Sequence, residues 1–239
     1  MGSIALQNNL TWQNTFFTVL LCLALGACGG GGGGAASPVA STDTFPLTTI
    51  LANSLQSSSN TFTISGTSSG AAVTGSGTVT RGSVSAGTFE GVAAQQRTTT
   101  ATGSFTVNGT SYALNNSATD WFDSNNVPVG ESGGTDYVVV TGTPTIPATV
   151  RVNDTGTLYT ANRYSNSTKS YLRGTETVTY VVEADTATTA LLTLIVTEKD
   201  TFNTTTSTNS TQVRITPAGA LTRIKETSVE GSTSLVISY

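Results

Sequence analysis

Histidine is absent from this chain, which removes the side chain that enzymes use most often as a base near neutral pH. Serine–histidine and cysteine–histidine nucleophile pairs are therefore excluded, as is any metal site that needs an imidazole ligand. Carboxylates are the main bases left, and a glycosidase-type pair must face each other across a cleft. No local spacing among the 14 acidic residues selects such a pair, so the sequence favours a protein that is not an enzyme.

One acidic, asparagine-rich stretch offers ligands for a cation. Asp120, Asp123 and Asn125, with Asn126 and Glu131 nearby, carry the hard oxygen atoms that calcium prefers. Their spacing does not match an EF-hand loop, and aspartate and asparagine are also common turn formers. We therefore treat Asp120, Asp123 and Asn125 as weak calcium candidates, predict no bound metal and no cofactor, and favour a plain turn.

A short apolar segment precedes the second of the two cysteines. Residues 16–25 form an apolar run of about ten residues, whereas a membrane-spanning helix needs roughly 20. This length is typical of the hydrophobic region of a signal peptide. The segment ends in Leu25, Gly26, Ala27 and Cys28, a pattern that resembles the lipobox of bacterial lipoproteins.

The resemblance to bacterial lipoproteins implies that Cys28 receives a thioether-linked diacylglycerol, that cleavage falls before it, and that its new amino group is acylated. Two or more acyl chains make membrane anchoring stable, so the membrane is the first expected partner. Gly29 follows the cysteine, where many inner-membrane lipoproteins have aspartate. The resemblance therefore implies an exported protein anchored to the outer membrane of a Gram-negative bacterium.

Charge is sparse along the chain. There are 10 basic and 14 acidic residues, which give a net charge of −4. Such a chain lacks the basic patch that nucleic-acid-binding proteins use, so nucleic acid is not an expected partner. Residues 29–42 are glycine, alanine, serine, proline, valine and threonine, a composition typical of a flexible tether.

The chain beyond the tether predicts an all-β fold with one short N-terminal helix. Apolar residues at 47, 50, 51 and 55 recur at helical spacing after Pro46. From residue 61 onward, alternating apolar and hydroxyl side chains predict about 11 to 13 strands with short connections. We expect one large antiparallel meander that curls into a barrel, a half-barrel or a sandwich.

Three local patterns refine this expectation. Asn108-Gly109 between alternating residues predicts a type I′ hairpin that sets Phe105 opposite Tyr112. Residues 153–156 predict a second hairpin turn between 150–152 and 157–159. Residues 203–211 are almost wholly polar and predict either an exposed strand or a long loop. Aromatic residues spread over many strands are expected to fill the core, and they are Phe62, Phe89, Phe105, Tyr112, Trp121, Phe122, Tyr137, Tyr171, Tyr180 and Phe202.

The predicted organisation has three parts: a signal peptide at 1–27, a tether at 28–43 and a single β-rich domain at 44–239. A faint internal similarity between regions near 77–130 and 156–219 is compatible with two pseudo-repeats, and chance explains it equally well in a threonine- and glycine-rich chain.

Two functions remain open at this point. The first is a membrane-anchored envelope lipoprotein with a non-enzymatic structural or binding role, whose partner would be an envelope protein. The second is a periplasmic carrier or binder of lipid or another apolar ligand, by fold-level analogy with half-barrel lipoprotein carriers. A carrier needs a continuous apolar cavity of roughly several hundred Å³, whereas a structural module fills that space with side chains.

Overall fold

The computed structural model describes residues 38–134 and 136–239, which contain one helix, α1 (Leu47–Ser54), and thirteen strands. The strands are β1 (Ser58–Ser68), β2 (Ala71–Arg81), β3 (Ser85–Phe89), β4 (Val92–Val107), β5 (Thr110–Phe122), β6 (Pro128–Gly133), β7 (Asp136–Thr141), β8 (Thr155–Tyr164), β9 (Leu172–Thr186), β10 (Thr189–Asp200), β11 (Thr205–Ile215), β12 (Leu221–Glu230) and β13 (Thr233–Ser238).

These strands form a closed antiparallel barrel. Strands β4 to β13 neighbour one another in chain order, and β1 then pairs with both β13 and β2. The ring closes because β2 pairs with β4, while β3 pairs with β4 alone. Twelve of the thirteen strands therefore form the barrel wall. The all-β prediction is confirmed. Of the three predicted alternatives, a barrel, a half-barrel and a sandwich, the chain adopts the closed barrel.

The helix lies at one end of the barrel, which we call the helix end, beside the turn at 216–220. Leu47 and Ile50 are buried there with Phe45, and all three pack against interior side chains of β8 to β11. The Asn53 amide also donates to the Gly219 carbonyl at 2.9 Å. The predicted short helix is thus confirmed. Among residues 38–134 and 136–239, no helix has the length and apolar character needed to cross a membrane.

The opposite end, which we call the hairpin end, carries the turns at 69–70, 108–109 and 201–204. The predicted Asn108-Gly109 hairpin is confirmed, because both residues have positive φ, +49° and +79°, as a type I′ turn requires. Phe105 lies opposite Tyr112, with stacked rings whose centroids are 5.4 Å apart.

The predicted hairpin turn at 153–156 is wrong. Residues 155–164 belong to β8, which pairs with β7 and β9. Val150 instead exchanges two backbone hydrogen bonds with Phe45, at 2.8 and 2.9 Å. The backbone N–H of Asn153 donates to the Val182 carbonyl, and that of Asp154 donates to the Arg151 carbonyl. The chain therefore turns at 151–154, but 157–159 pair with β9 and not with 150–152.

The polar stretch at 203–211 becomes most of β11, and its inner side is buried rather than exposed. Ser207, Asn209 and Thr211 alternate toward the barrel interior and are at most 5 % exposed. The Ser228 hydroxyl on β12 donates to the Asn209 side-chain carbonyl at 2.8 Å, which satisfies that buried amide. The sequence predicted an exposed strand or a long loop for this stretch, because polar residues normally stay in water. The stretch is a strand, but its inward-facing side chains are buried.

Threonine and serine dominate the outer face of β1, β2, β4 and β5, where every second residue points away from the interior. Cross-strand hydroxyl pairs form there, such as Thr74 with Thr106 at 2.9 Å and Thr98 with Thr119 at 3.2 Å. This face explains how a threonine-rich chain forms strands, because β-branched hydroxyl side chains suit a solvated sheet surface.

Candidate functional site

Cys28, the predicted lipidation site, lies outside the described residues. The three weak calcium candidates lie within them and do not converge. Asp120 accepts two hydrogen bonds from the Arg97 guanidinium, at 2.6 and 3.2 Å. Asp123 accepts backbone hydrogen bonds from Asn125 and Val127, at 2.7 and 2.9 Å, as a turn former does. In the part of the chain that the structure describes, no group of three or more histidine, cysteine, aspartate or glutamate residues could hold a metal ion.

A network of charged side chains crosses the barrel interior. Arg163 donates to Asp136 at 2.6 Å and forms an ion pair with Glu198 at 2.7 Å. Glu131 extends the network toward Asp120, its direct neighbour across the β5–β6 ladder. Buried charges persist only when they are paired and hydrogen-bonded, so these contacts fix the strands that carry them.

Glu176 occupies the least favourable position in this network. It lies directly opposite Glu198 on the next strand, and both side chains point into the barrel. Burial and the nearby Glu198 charge raise the pKa of Glu176 to about 8, although Arg163 opposes the shift. Burial and the Asp120 charge likewise raise the pKa of Glu131 well above its ordinary value. Glu176 is therefore expected to stay mainly protonated at neutral pH, and burial shifts Glu131 in the same direction.

The space beside these carboxyls is small. Asp120, Glu131 and Glu176 line a cavity of about 20 Å³, which holds about one water molecule. A second, mainly apolar pocket of about 30 Å³ lies between α1 and the barrel wall, next to Leu55 and Leu158. Neither has room for a sugar ring or an acyl chain, so the raised pKa values belong to a packed interior rather than a cleft.

A second charged cluster lies at the helix end. Arg81 is 1 % exposed, and its Nη2 atom lies 3.9 Å from a Glu226 oxygen. The same oxygen accepts hydrogen bonds from Arg223 at 3.3 Å and from the Tyr239 hydroxyl at 2.6 Å. Burial and the neighbouring Arg81 charge lower the pKa of Arg223 to about 10. Two guanidinium groups thus share one carboxylate.

The largest of the pockets described here opens beside this cluster. It has a volume of about 490 Å³ and lies between the end of α1, the starts of β1 and β12, and Tyr239. Its wall is mostly polar, with Arg223 as its charged residue. The lining residues are Asn53, Ser54, Gln56, Ser57, Ser58, Asn60, Leu221, Thr222, Arg223 and Tyr239.

The hairpin end carries exposed apolar side chains, which the sequence placed in the core. Phe202 at the β10–β11 turn is 87 % exposed, and Tyr171 before β9 is 65 % exposed. The prediction that these two aromatics fill the core is therefore wrong, whereas Phe62, Phe89, Phe105 and Phe122 are buried as predicted. Both exposed residues belong to turns, so alternation within a strand did not apply to them.

Sequence reasoning also missed the interior arginines. Arg81 follows Val79 at the inward parity of β2, and Arg97 precedes Ala101 at the inward parity of β4. Strict alternation would have placed both inside the barrel, although a charged side chain is normally expected in water.

Comparison of the chain with protein-family models, with curated proteins and with solved structures finds no match.

Proposed function

We propose that this chain is an exported lipoprotein of the bacterial envelope, held at the membrane by lipid on Cys28, with a non-enzymatic structural or binding role. The observation that carries the proposal is the filled barrel interior. Within the part of the chain that the structure describes, apolar clusters and the charged network occupy this interior, and two interior pockets measure about 20 and 30 Å³. A lipid carrier would need a cavity of roughly 300 Å³ or more, which is about ten times the volume of either pocket.

The position of the N-terminal segment supports the same role. Val39 forms a bridge with Asp185, and Phe45 pairs with Val150, so the chain enters the barrel at the helix end. Nine residues lie between Cys28 and Pro38, and the tether predicted from their composition would reach roughly 15–20 Å. A lipid on Cys28 would therefore keep the helix end near the membrane.

The hairpin end would then point away from the membrane. It carries three exposed apolar side chains: Tyr171 just before β9, Leu172 at the start of β9 and Phe202 in the turn between β10 and β11. Aromatic residues contribute strongly to protein interfaces, so an envelope protein is the partner class that this end suits.

The anchor is tested by fractionation of cells that express Cys28→Ser, with Cys22→Ser as the matched control. We expect the Cys28 variant to leave the membrane fraction and the control to remain in it, because only Cys28 would carry lipid. A Cys28→Ser protein that still fractionates with membranes would contradict the proposal.

A further inference from the structure

We infer that the pocket at the helix end, lined by Arg223 and Tyr239, binds a phosphate-type anion carried by a small polar molecule. The inference rests on the charge balance, the unfilled hydrogen-bonding groups and the size of this site. It does not depend on the proposed lipid anchor.

The charge balance favours an anion. Among the side chains that the structure describes, Arg81 and Arg223 share one carboxylate, Glu226, so these side chains carry one positive charge in excess in a buried setting. Arg97 adds no further positive charge to this balance, since it forms an ion pair with Asp120. Buried charges without a partner destabilise a fold, so an anion in the pocket would relieve this excess.

Arg81 also lacks hydrogen bonds. None of its three guanidinium nitrogens has a hydrogen-bond partner among the described residues, although the side chain is 1 % exposed. It lies next to the pocket wall, because Ser58, which lines the pocket, is its direct partner across the β1–β2 ladder. A buried donor that is left unsatisfied costs about 1–3 kcal/mol, so groups of this kind normally have a partner.

Glu226 connects the pocket wall to Arg81. Its carboxylate now accepts hydrogen bonds from Arg223 and Tyr239, and it lies 3.9 Å from Arg81. An anion that binds Arg223 accepts the hydrogen bonds of that guanidinium in place of Glu226. Glu226 is then free to move toward Arg81 and to hydrogen-bond its buried nitrogens, so one ligand satisfies both arginines.

The pocket suits a phosphate group on a polar molecule. Guanidinium groups bind phosphate oxygens through two parallel hydrogen bonds. The surrounding hydroxyl and amide groups, among them Ser58, Asn60 and Thr222, offer partners for the rest of the ligand. Its volume of about 490 Å³ lies in the range of small-molecule sites. A free phosphorylated compound and a lipid headgroup both supply this chemistry.

The test is equilibrium unfolding of the full chain in uncharged detergent, titrated with inorganic phosphate while chloride keeps the ionic strength constant. A specific site predicts saturable stabilisation, in which phosphate at a hundred times its dissociation constant raises the folding equilibrium constant about a hundredfold. Arg223→Gln should weaken phosphate binding at least about tenfold. Arg214→Gln, which alters an outer arginine paired with Asp185, should leave it unchanged.

A second variant covers the case in which Arg223→Gln does not fold. Thr222→Trp fills the pocket from an exposed position and keeps both arginines, so it should fold and lose phosphate binding. Competition by phosphatidylglycerol vesicles would identify a lipid headgroup as the source, and its absence would favour a free phosphorylated compound. Stabilisation that follows ionic strength alone, or that survives in both pocket variants, would overturn the inference.

Discussion

Replacing Glu176 with glutamine should stabilise the protein at neutral pH. The folded state holds this carboxyl protonated, with a pKa of about 8, whereas the unfolded chain releases the proton near 4.5. Between these two values the unfolded state binds fewer protons, so the free energy of unfolding falls as pH rises. Glutamine keeps the shape of the protonated side chain and cannot ionise.

The magnitude follows from the shift. Each pKa unit corresponds to about 1.4 kcal/mol. At pH 7 the Glu176 carboxyl therefore lowers the free energy of unfolding of the wild-type protein by about 3 kcal/mol, and the variant does not have this loss. The gain should be near zero at pH 4.5, grow through neutral pH and level off above about pH 8.

Urea unfolding of Glu176→Gln and wild-type protein between pH 4.5 and 8.5 measures this difference. Glu183→Gln is the matched control, because Glu183 lies on the same strand and accepts its hydrogen bonds from Thr193 and Gln212 at the barrel exterior. That variant gives the change in stability caused by replacing a glutamate on the outer face of the same strand, with which the Glu176→Gln gain is compared at each pH. A Glu176→Gln gain that is absent, or that does not depend on pH, would refute the reasoning about the buried pair with Glu198.

Three further experiments test a buried ion pair, the core packing and the hairpin turn of the barrel. Arg97→Met leaves the largely buried Asp120 without its cation and should lower the free energy of unfolding by about 3 kcal/mol in urea melts. Adding Asp120→Leu should restore part of that loss. Phe105→Ala should cost about 3–5 kcal/mol in the same assay, whereas Phe202→Ala should change stability by less than about 0.5 kcal/mol, since Phe202 is 87 % exposed. Gly109→Ala forces a side chain onto a φ of +79° and should cost about 1 kcal/mol; equal stability would contradict the hairpin geometry.

Local signals in the sequence predicted local structure well. Asn108-Gly109 determines its own hairpin, and the pairing of Phe105 with Tyr112 follows from the turn length alone. The helix after Pro46 is also encoded locally, because its apolar spacing needs no information from the barrel.

Long-range features could not be predicted in the same way. Closure of the barrel depends on β2 pairing with β4 past β3, and no short pattern indicates that one strand is skipped. The 153–156 turn was misassigned for a related reason. The backbone of Val150 pairs with Phe45, which lies about a hundred residues earlier in the chain, and not with the nearby residues 157–159. The interior charges and the polar core of β11 became recognisable only when neighbouring strands supplied their partners.

The most direct test of the proposed function is the intact mass of the protein recovered from membranes, recorded under native conditions in detergent. We predict a chain that begins at Cys28, carries covalent acyl groups and holds no additional lipid, because side chains of the described residues fill the barrel interior. A chain that keeps residues 1–27, or one that retains a noncovalently bound lipid inside the barrel, would contradict it.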